Sequence, residues 1–96
     1  MCNNFYYVYI LKSIKDGKFY TGYTSDLIIR VEQHNAGMNT STRNRRPFEF
    51  IYFEGALNKY DAIHREKYLK STYGKRYIKN RLKNYFSYGN TCNINE

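Results

Sequence analysis

The stretch FYYVYILKSIKDGKFYTGYT, residues 5–24, determines the first half of the fold. Residues 5–12 form a dense run of aromatic and β-branched side chains, which is typical of a β-strand. Residues 19–24 form a second such run, and Asp16-Gly17 between the two runs is a turn signal. The stretch therefore predicts a β-hairpin that turns at Asp16-Gly17. A two-residue turn there is one possible register, which the sequence does not fix.

Two tyrosines of this hairpin are predicted to share one face of the sheet. Side chains alternate along a strand, and the two-residue turn would set Tyr9 opposite Thr24. In that register Tyr9 and Tyr20 lie on the same side, whereas a one-residue slip would separate them. A glycine inside a strand, here Gly22, often marks a bulge or the close approach of a ligand or another backbone. The alternative for both tyrosines is a purely structural role as core aromatics.

A helix is predicted directly after the hairpin. Ser25 or Asp26 can cap its amino-terminal end, and apolar residues recur at helical spacing until Gly37 closes it. The polar, basic and aperiodic residues 38–46 are expected to form a loop, which Pro47 ends.

The second half of the chain predicts one more strand and two more helices. Residues 48–54 are rich in aromatics, and residues 58–70 and 75–86 have helical periodicity, with a break at Tyr73-Gly74. The order strand, strand, helix, strand, helix, helix predicts an α+β fold. In this fold a small three-stranded sheet, antiparallel or mixed, packs against three helices.

Composition and charge favour a nucleic-acid partner. The 96 residues suffice for one domain, which we place at residues 5–86, followed by a polar C-terminal tail at residues 87–96. The 16 Lys and Arg against 8 Asp and Glu leave a net charge of +8, which favours a polyanion, nucleic acid before membrane. The alternative is a soluble domain whose lysines serve solubility only.

The two cysteines, Cys2 and Cys92, lie at opposite ends of the chain. They form no disulfide framework and have no neighbours at zinc-ligand spacing. The sequence has neither a signal-like amino-terminal region nor an apolar stretch of membrane-spanning length. We therefore expect a cytoplasmic monomer without a disulfide-linked partner.

Three residues on the predicted helices are candidates for chemistry. Arg30 and His34 lie four residues apart on one helix face, where an arginine can neutralise a phosphate and a histidine can shuttle a proton. The alternative is that both are solvated surface residues. Glu66 borders the apolar stripe of the second helix, and a half-buried carboxylate needs a partner. That partner is either a divalent cation or one of the cations Arg30, Arg65 and Lys70.

Basic residues in the predicted loop and the last helix are candidates for contact with a phosphate backbone. Such contacts give salt-dependent affinity that tolerates different sequences. The alternative is that these side chains only solvate the surface. The candidate nucleic-acid-binding residues are Arg43, Arg45, Arg46, Lys75, Arg76, Lys79 and Lys83.

Together, these motifs and spacings resemble the GIY-YIG nuclease superfamily, most closely its small, stand-alone bacterial members. The resemblance runs from about residue 6 to residue 86. The first tyrosine motif reads Tyr7-Val8-Tyr9, in which Tyr7 replaces the family's glycine, and the second reads Tyr20-Thr21-Gly22. The family's arginine, its histidine or tyrosine, and its glutamate match Arg30, His34 and Glu66.

The sequence also departs from the family pattern at two places. Ile29 stands where some members have a basic residue before the arginine. Some members have an asparagine late in the domain that supports the site, and here Asn80 and Asn84 are both candidates.

The resemblance implies an endonuclease that hydrolyses phosphodiester bonds in DNA. It implies a single Mg²⁺ or Mn²⁺ held by Glu66, with Tyr9 as general base and Tyr20 positioning the water or a phosphate oxygen. Arg30 would stabilise charge on the phosphate, and His34 would assist Tyr9 or the phosphate. Two alternatives stay open: a nucleic-acid-binding module without catalysis on the same fold, and a protein-interaction domain.

Overall fold

The computed structural model describes residues 4–87 and has the predicted α+β architecture. Three strands and four helices follow one another, with a short 3₁₀ turn at Arg43–Arg45 inside the predicted loop. The strands are β1 (Tyr6–Ser13), β2 (Phe19–Thr24) and β3 (Phe48–Ala56). The helices are α1 (Leu27–Asn35), α2 (Lys59–Lys70), α3 (Thr72–Arg81) and α4 (Lys83–Ser87).

The sheet is antiparallel with strand order β2-β1-β3, so the first strand lies in the middle. Four consecutive residues of β1, Val8 to Leu11, are buried. Uninterrupted burial means that both faces of the central strand are covered, which explains why this run is apolar throughout instead of alternating with polar residues.

Each face of the sheet has its own hydrophobic cluster. On one face, Tyr9 and Leu11 pack with Leu27 and Val31 of α1. On the other face, Val8 and Ile10 pack against α2 and α3, and the buried helix residues there are Ala62, Leu69 and Ile78. The alternation of side chains along β1 therefore places Tyr9 beneath α1.

The hairpin register, which the sequence leaves open, is not that of a two-residue turn. In the structure Tyr9 pairs with Gly22, and Leu11 pairs with Tyr20, so the two strands are joined by a loop over residues 14–17. The reason is the buried Ser13, whose hydroxyl accepts bonds from the amides of residues 15 and 16 and donates to the Arg45 carbonyl at 2.6 Å. The shift is by an even number of residues, which is why Tyr9 and Tyr20 still lie on the same face.

The helix boundaries in the structure differ from the predicted ones at two places, Ser71 and Leu82. The break between α2 and α3 lies at Ser71, whose hydroxyl donates to the Tyr68 carbonyl and accepts from the Gly74 amide. Gly74 lies inside α3 and does not end a helix. A Cβ atom at this position would overlap the Tyr68 carbonyl oxygen and Leu69 Cα, which is why the residue is glycine. This glycine permits close packing of the two helices instead of ending one of them. The predicted last helix is also divided, at Leu82.

The helix caps and ends near the candidate site are mostly as expected. Asp26 caps α1 by accepting from the Ile29 amide at 3.1 Å, and Gly37 follows the helix with a φ of 80°.

Cys2, Cys92 and the predicted tail from residue 88 onward lie outside the described residues. Within residues 4–87, no helix is long and apolar enough to cross a membrane.

Candidate active site

A chain of polar contacts centred on Tyr9 lies between the sheet and α1. The Tyr9 side chain is fully buried, and its hydroxyl lies 2.9 Å from Nε2 of His34, which is also fully buried. Arg30 Nε donates to the same hydroxyl at 3.3 Å. Residues from β1 and from one face of α1 therefore meet at a single oxygen atom.

Thr42 fixes the orientation of the histidine. Its hydroxyl lies 2.9 Å from His34 Nδ1 and donates to the Asn39 carbonyl at 3.4 Å. We assign the His34 proton to Nδ1 on this basis: with the Thr42 hydroxyl donating to Asn39, Nδ1–H donates to Thr42 Oγ1, and Nε2 accepts from the Tyr9 hydroxyl. The contacts thus run in one direction, from Arg30 through Tyr9 and His34 to Thr42.

Burial opposes ionisation of both rings, whereas the Arg30 charge opposes it only at His34. Burial, with the Arg30 charge, lowers the pKa of His34 from 6.5 to about 4, so the imidazole is neutral near pH 7. Burial likewise raises the pKa of Tyr9, against the Arg30 hydrogen bond and charge, which lower it. The pKa of Arg30 is raised, chiefly by its hydrogen bond to Tyr9. At rest the site therefore holds a neutral phenol, a neutral imidazole and a guanidinium.

Tyr20 and Gly22 of β2 complete the wall around Tyr9. The Tyr20 ring lies 4.8 Å from the His34 ring and 6.4 Å from the Tyr9 ring, centroid to centroid. A Cβ atom at Gly22 would lie 2.5 Å from the Tyr9 hydroxyl oxygen. The glycine in this strand therefore makes room for a side chain of the neighbouring strand, whereas the sequence suggested a bulge or the close approach of a ligand or another backbone.

Glu66 stands on α2, the helix that packs against the opposite face of the sheet. Its side chain is only 16% exposed, and Oε2 pairs with Lys70 Nζ at 3.1 Å. The expected ion pair is thus with Lys70, while Arg65 pairs with Glu54 at 2.9 Å. The Glu66 charge is among those that raise the pKa of Tyr9. The structure brings Tyr9, Arg30 and His34 into direct contact, and of these three residues Glu66 acts electrostatically on Tyr9.

Glu66 is the candidate ligand for a divalent cation. Within residues 4–87 there is no group of three or more His, Cys, Asp or Glu side chains able to enclose a metal ion. A half-buried carboxylate whose partner, the Lys70 side chain, is 56% exposed fits an ion anchored at one point, with water and substrate oxygens as its other ligands. Mg²⁺ and Mn²⁺ accept that arrangement.

The three arginines of the loop are partly used within the protein. Arg45 Nε pairs with Asp16 at 3.1 Å, and its Nη2 donates to the Phe19 carbonyl at 3.3 Å. Arg43 donates to the Gly37 carbonyl, and Arg46 donates to the Arg43 carbonyl. The loop is therefore tied to both the hairpin and the end of α1. The cations of the last helices, Lys75, Arg76, Lys79 and Lys83, are all exposed.

Sequence reasoning missed Thr42, although it is fully buried. Its only sequence signal is a hydroxyl residue in a basic segment without periodicity, which does not distinguish it from Thr40 or Ser41. The two candidate supporting asparagines, Asn80 and Asn84, are both exposed, on α3 and α4 respectively.

Comparison with known proteins defines the class to which this fold and site belong. The family model of the GIY-YIG catalytic domain matches residues 5–82. A UPF0213 protein of Pediococcus pentosaceus is 41% identical over 88 residues, which cover 91% of this chain and 92% of the relative. One of Clostridium perfringens is 48% identical over 65 residues, covering 67% and 69% of the two chains.

A solved structure agrees with these sequence matches. The solution NMR structure of the UPF0213 protein BH0048 from Bacillus halodurans has a TM-score of 0.51 and 34% sequence identity, and the match covers 81% of this chain and 85% of that chain. The chain belongs to the GIY-YIG family, among its small UPF0213 members. The resemblance inferred from the tyrosine motifs is confirmed.

Proposed function

We propose that this protein is a divalent-metal-dependent endonuclease that hydrolyses phosphodiester bonds in DNA. The observation that carries the proposal is the directed chain of contacts from Arg30 through Tyr9 to His34. A structural core does not need a fully buried tyrosine hydroxyl that receives a cation on one side and has a neutral imidazole as its proton acceptor on the other. A hydroxyl that relays a proton to a histidine does need this pair of partners.

The proposed role of Tyr9 is that of general base, acting through His34. Because burial raises the pKa of Tyr9, a free phenolate is rare at neutral pH, and the hydroxyl cannot act as a base by itself. In the proposed step the Tyr9 oxygen takes a proton from the attacking water while its own proton passes to His34 Nε2, which lies 2.9 Å from that oxygen. Neither ring then has to carry an isolated buried charge before the reaction begins.

Arg30 and Tyr20 are proposed to act on the phosphate. The Arg30 guanidinium donates to Tyr9 through Nε and to the Gln33 side chain through Nη1, at 3.2 Å. These two bonds hold the guanidinium plane in place. A guanidinium so placed can neutralise charge that develops on a phosphate oxygen next to Tyr9. Tyr20, which is half-buried beside His34, would position the water or a phosphate oxygen.

Glu66 is proposed to hold the metal ion. When bound, Mg²⁺ or Mn²⁺ supplies Lewis-acid stabilisation of charge on the scissile phosphate. Lys70 would be displaced from the carboxylate or would stay beside it to neutralise the remaining charge. DNA is proposed as the substrate because of the family and the net charge of +8, with branched, flapped or nicked forms as the candidate structures.

The test is incubation of the purified protein with branched, flapped, nicked and plain duplex DNA, in Mg²⁺, Mn²⁺ or EDTA. We expect cleavage of at least one substrate in Mg²⁺ or Mn²⁺ and none in EDTA. Glu66→Ala should abolish cleavage and retain the fold, and Glu32→Ala, which removes an exposed carboxylate from α1, is the matched control. DNA binding without cleavage of any substrate would instead support the non-catalytic binding module.

A further inference from the structure

A groove lined by cations runs along the side of the molecule opposite α1. Its first part, a cavity of about 520 Å³, is lined by Lys18 of the hairpin loop, Arg45, and Lys75 and Lys79 of α3, with Gly17 and Phe19. Its second part, about 400 Å³, shares Lys79 and continues past Lys83 and Phe86. Residues from three separate segments of the chain thus converge on one open channel, whose titratable lining residues are all basic.

The floor of the groove is aromatic and well supported. The rings of Phe19 and Phe86 lie 5.8 Å apart, centroid to centroid. Arg45 is fixed by its bonds to Asp16 and to the Phe19 carbonyl, so its guanidinium forms a wall with restricted motion. Asp16 is the carboxylate nearest to this wall, and its charge is matched by Arg45 itself. The four lysines, Lys18, Lys75, Lys79 and Lys83, therefore account for the excess positive charge along the groove.

The groove lies next to the candidate active site, around an open edge of the sheet. Phe19 and Tyr20 are neighbours on β2 and point to opposite faces, Phe19 into the groove and Tyr20 towards His34. Among residues 4–87, β2 is an edge strand of the sheet, so no further strand of this part of the chain blocks the path from one face to the other. A linear polyanion that passes Tyr20 can continue over this edge into the groove.

We propose that this groove binds the phosphate backbone of the DNA segment that flanks the cleaved bond. The inference rests on the proposed function, and it adds a second binding site on the face that does not contain Tyr9. A spaced row of cations on an aromatic floor suits a run of phosphates and not a single small anion. Contacts of this kind give affinity without base recognition and position the strand at the site.

The test is DNA affinity of the double variant Lys75→Gln/Lys79→Gln, measured in EDTA by fluorescence anisotropy over a series of salt concentrations. We expect affinity for duplex DNA to fall about tenfold or more at low salt, and the log-log salt slope to become smaller by roughly 1.8, since each neutralised phosphate contributes about 0.9. The matched control is Lys59→Gln/Lys67→Gln on α2, which removes the same charge from exposed positions outside the groove. Its affinity should change by less than about twofold.

Equal losses of affinity in the two double variants would overturn the proposal, because the effect would then be one of net charge. No loss of DNA affinity in the groove variant would overturn it as well.

The results distinguish failure of the groove proposal from failure of the proposed endonuclease function. If the groove variant loses affinity but no DNA is cleaved by any form of the protein, the groove stands and the endonuclease assignment falls. If DNA is cleaved and the groove variant binds normally, the reverse holds. Circular dichroism and thermal unfolding confirm that both double variants are folded.

Discussion

The Tyr9 hydroxyl and His34 Nε2 lie 2.9 Å apart in a contact from which solvent is excluded, since both side chains have no exposed surface. The contact links the central strand to α1 across 25 residues of sequence. It also joins the two residues whose pKa values burial shifts towards their neutral forms.

The buried His34 should make stability depend on pH. Its pKa of about 4 in the folded protein lies below the unfolded value of 6.5, so between these limits the unfolded chain binds more protons and the free energy of unfolding falls as the pH is lowered. The loss is about 1.4 kcal/mol per pH unit, or about 3 kcal/mol over the whole window. Urea unfolding of wild type and His34→Gln from pH 7 to pH 4 measures it.

Between pH 7 and pH 4 the free energy of unfolding of His34→Gln should fall by about 3 kcal/mol less than that of wild type. This difference does not depend on how stable the variant is at pH 7. His64→Gln, at an exposed position on α2, is the control and should follow wild type. Carboxylates titrate in the same range, but they are common to all three proteins and cancel in the comparison. Parallel curves for wild type and His34→Gln would show that the histidine is not held neutral by the fold.

Thr42→Val should disturb the site through the histidine tautomer. Valine keeps the volume of threonine but removes the acceptor for the buried His34 Nδ1–H, which costs about 1–3 kcal/mol of stability. The imidazole can then carry its proton on either nitrogen. When Nε2 is protonated, it cannot accept a hydrogen bond from the Tyr9 hydroxyl. We expect the cleavage rate to fall about tenfold or more, and ¹⁵N chemical shifts of His34 to change from the Nδ1–H pattern.

Thr42→Ser is the conservative control for this change. It keeps the hydroxyl and should restore both the tautomer and most of the cleavage rate. A merely structural role would appear as lost stability in the Val variant with unchanged ¹⁵N shifts, and that result would contradict the assignment of Thr42 as a positioning residue.

Gly22→Ala should impair cleavage more than it impairs folding. The added Cβ would lie 2.5 Å from the Tyr9 hydroxyl oxygen, so the phenol must move away from His34. Gly55→Ala on β3 is a useful comparison, because its Cβ would lie 3.3 Å from the Tyr7 ring, on a residue without a proposed catalytic role. Single-turnover cleavage and thermal unfolding of both variants separate the effects. Equal cleavage by the two variants would mean that the position of the Tyr9 hydroxyl does not matter.

The sequence predicts the parts of this site that follow from local periodicity. Alternation along a strand puts Tyr9 and Tyr20 on one face, and helical spacing puts Arg30 and His34 on one face of α1. Thr42 could not be found in this way, because residues 38–46 have no period and its contact with His34 depends on how the loop folds back. The alternative that Arg30 and His34 are solvated is wrong for His34, which has no exposed surface.

The hairpin register, which the sequence left open, and the role of Gly74, which it misread, have the same physical origin. The register depends on Ser13, whose hydroxyl bonds to the carbonyl of Arg45, a partner 32 residues away in sequence. The role of Gly74 depends on the distance between two packed helices, which no local pattern reports. In both places a tertiary contact decides what a local turn or break signal does not.

The single-turnover cleavage rate of Tyr9→Phe tests the central claim most directly. The substitution keeps the ring and removes only the hydroxyl that contacts His34 and Arg30. The account predicts a rate about 10²–10⁴-fold below wild type with DNA affinity little changed, whereas Tyr7→Phe, on the same face of β1, should cleave like wild type. If Tyr9→Phe cleaves as fast as Tyr7→Phe, the proton of the attacking water does not pass through this hydroxyl, and the proposed mechanism is wrong.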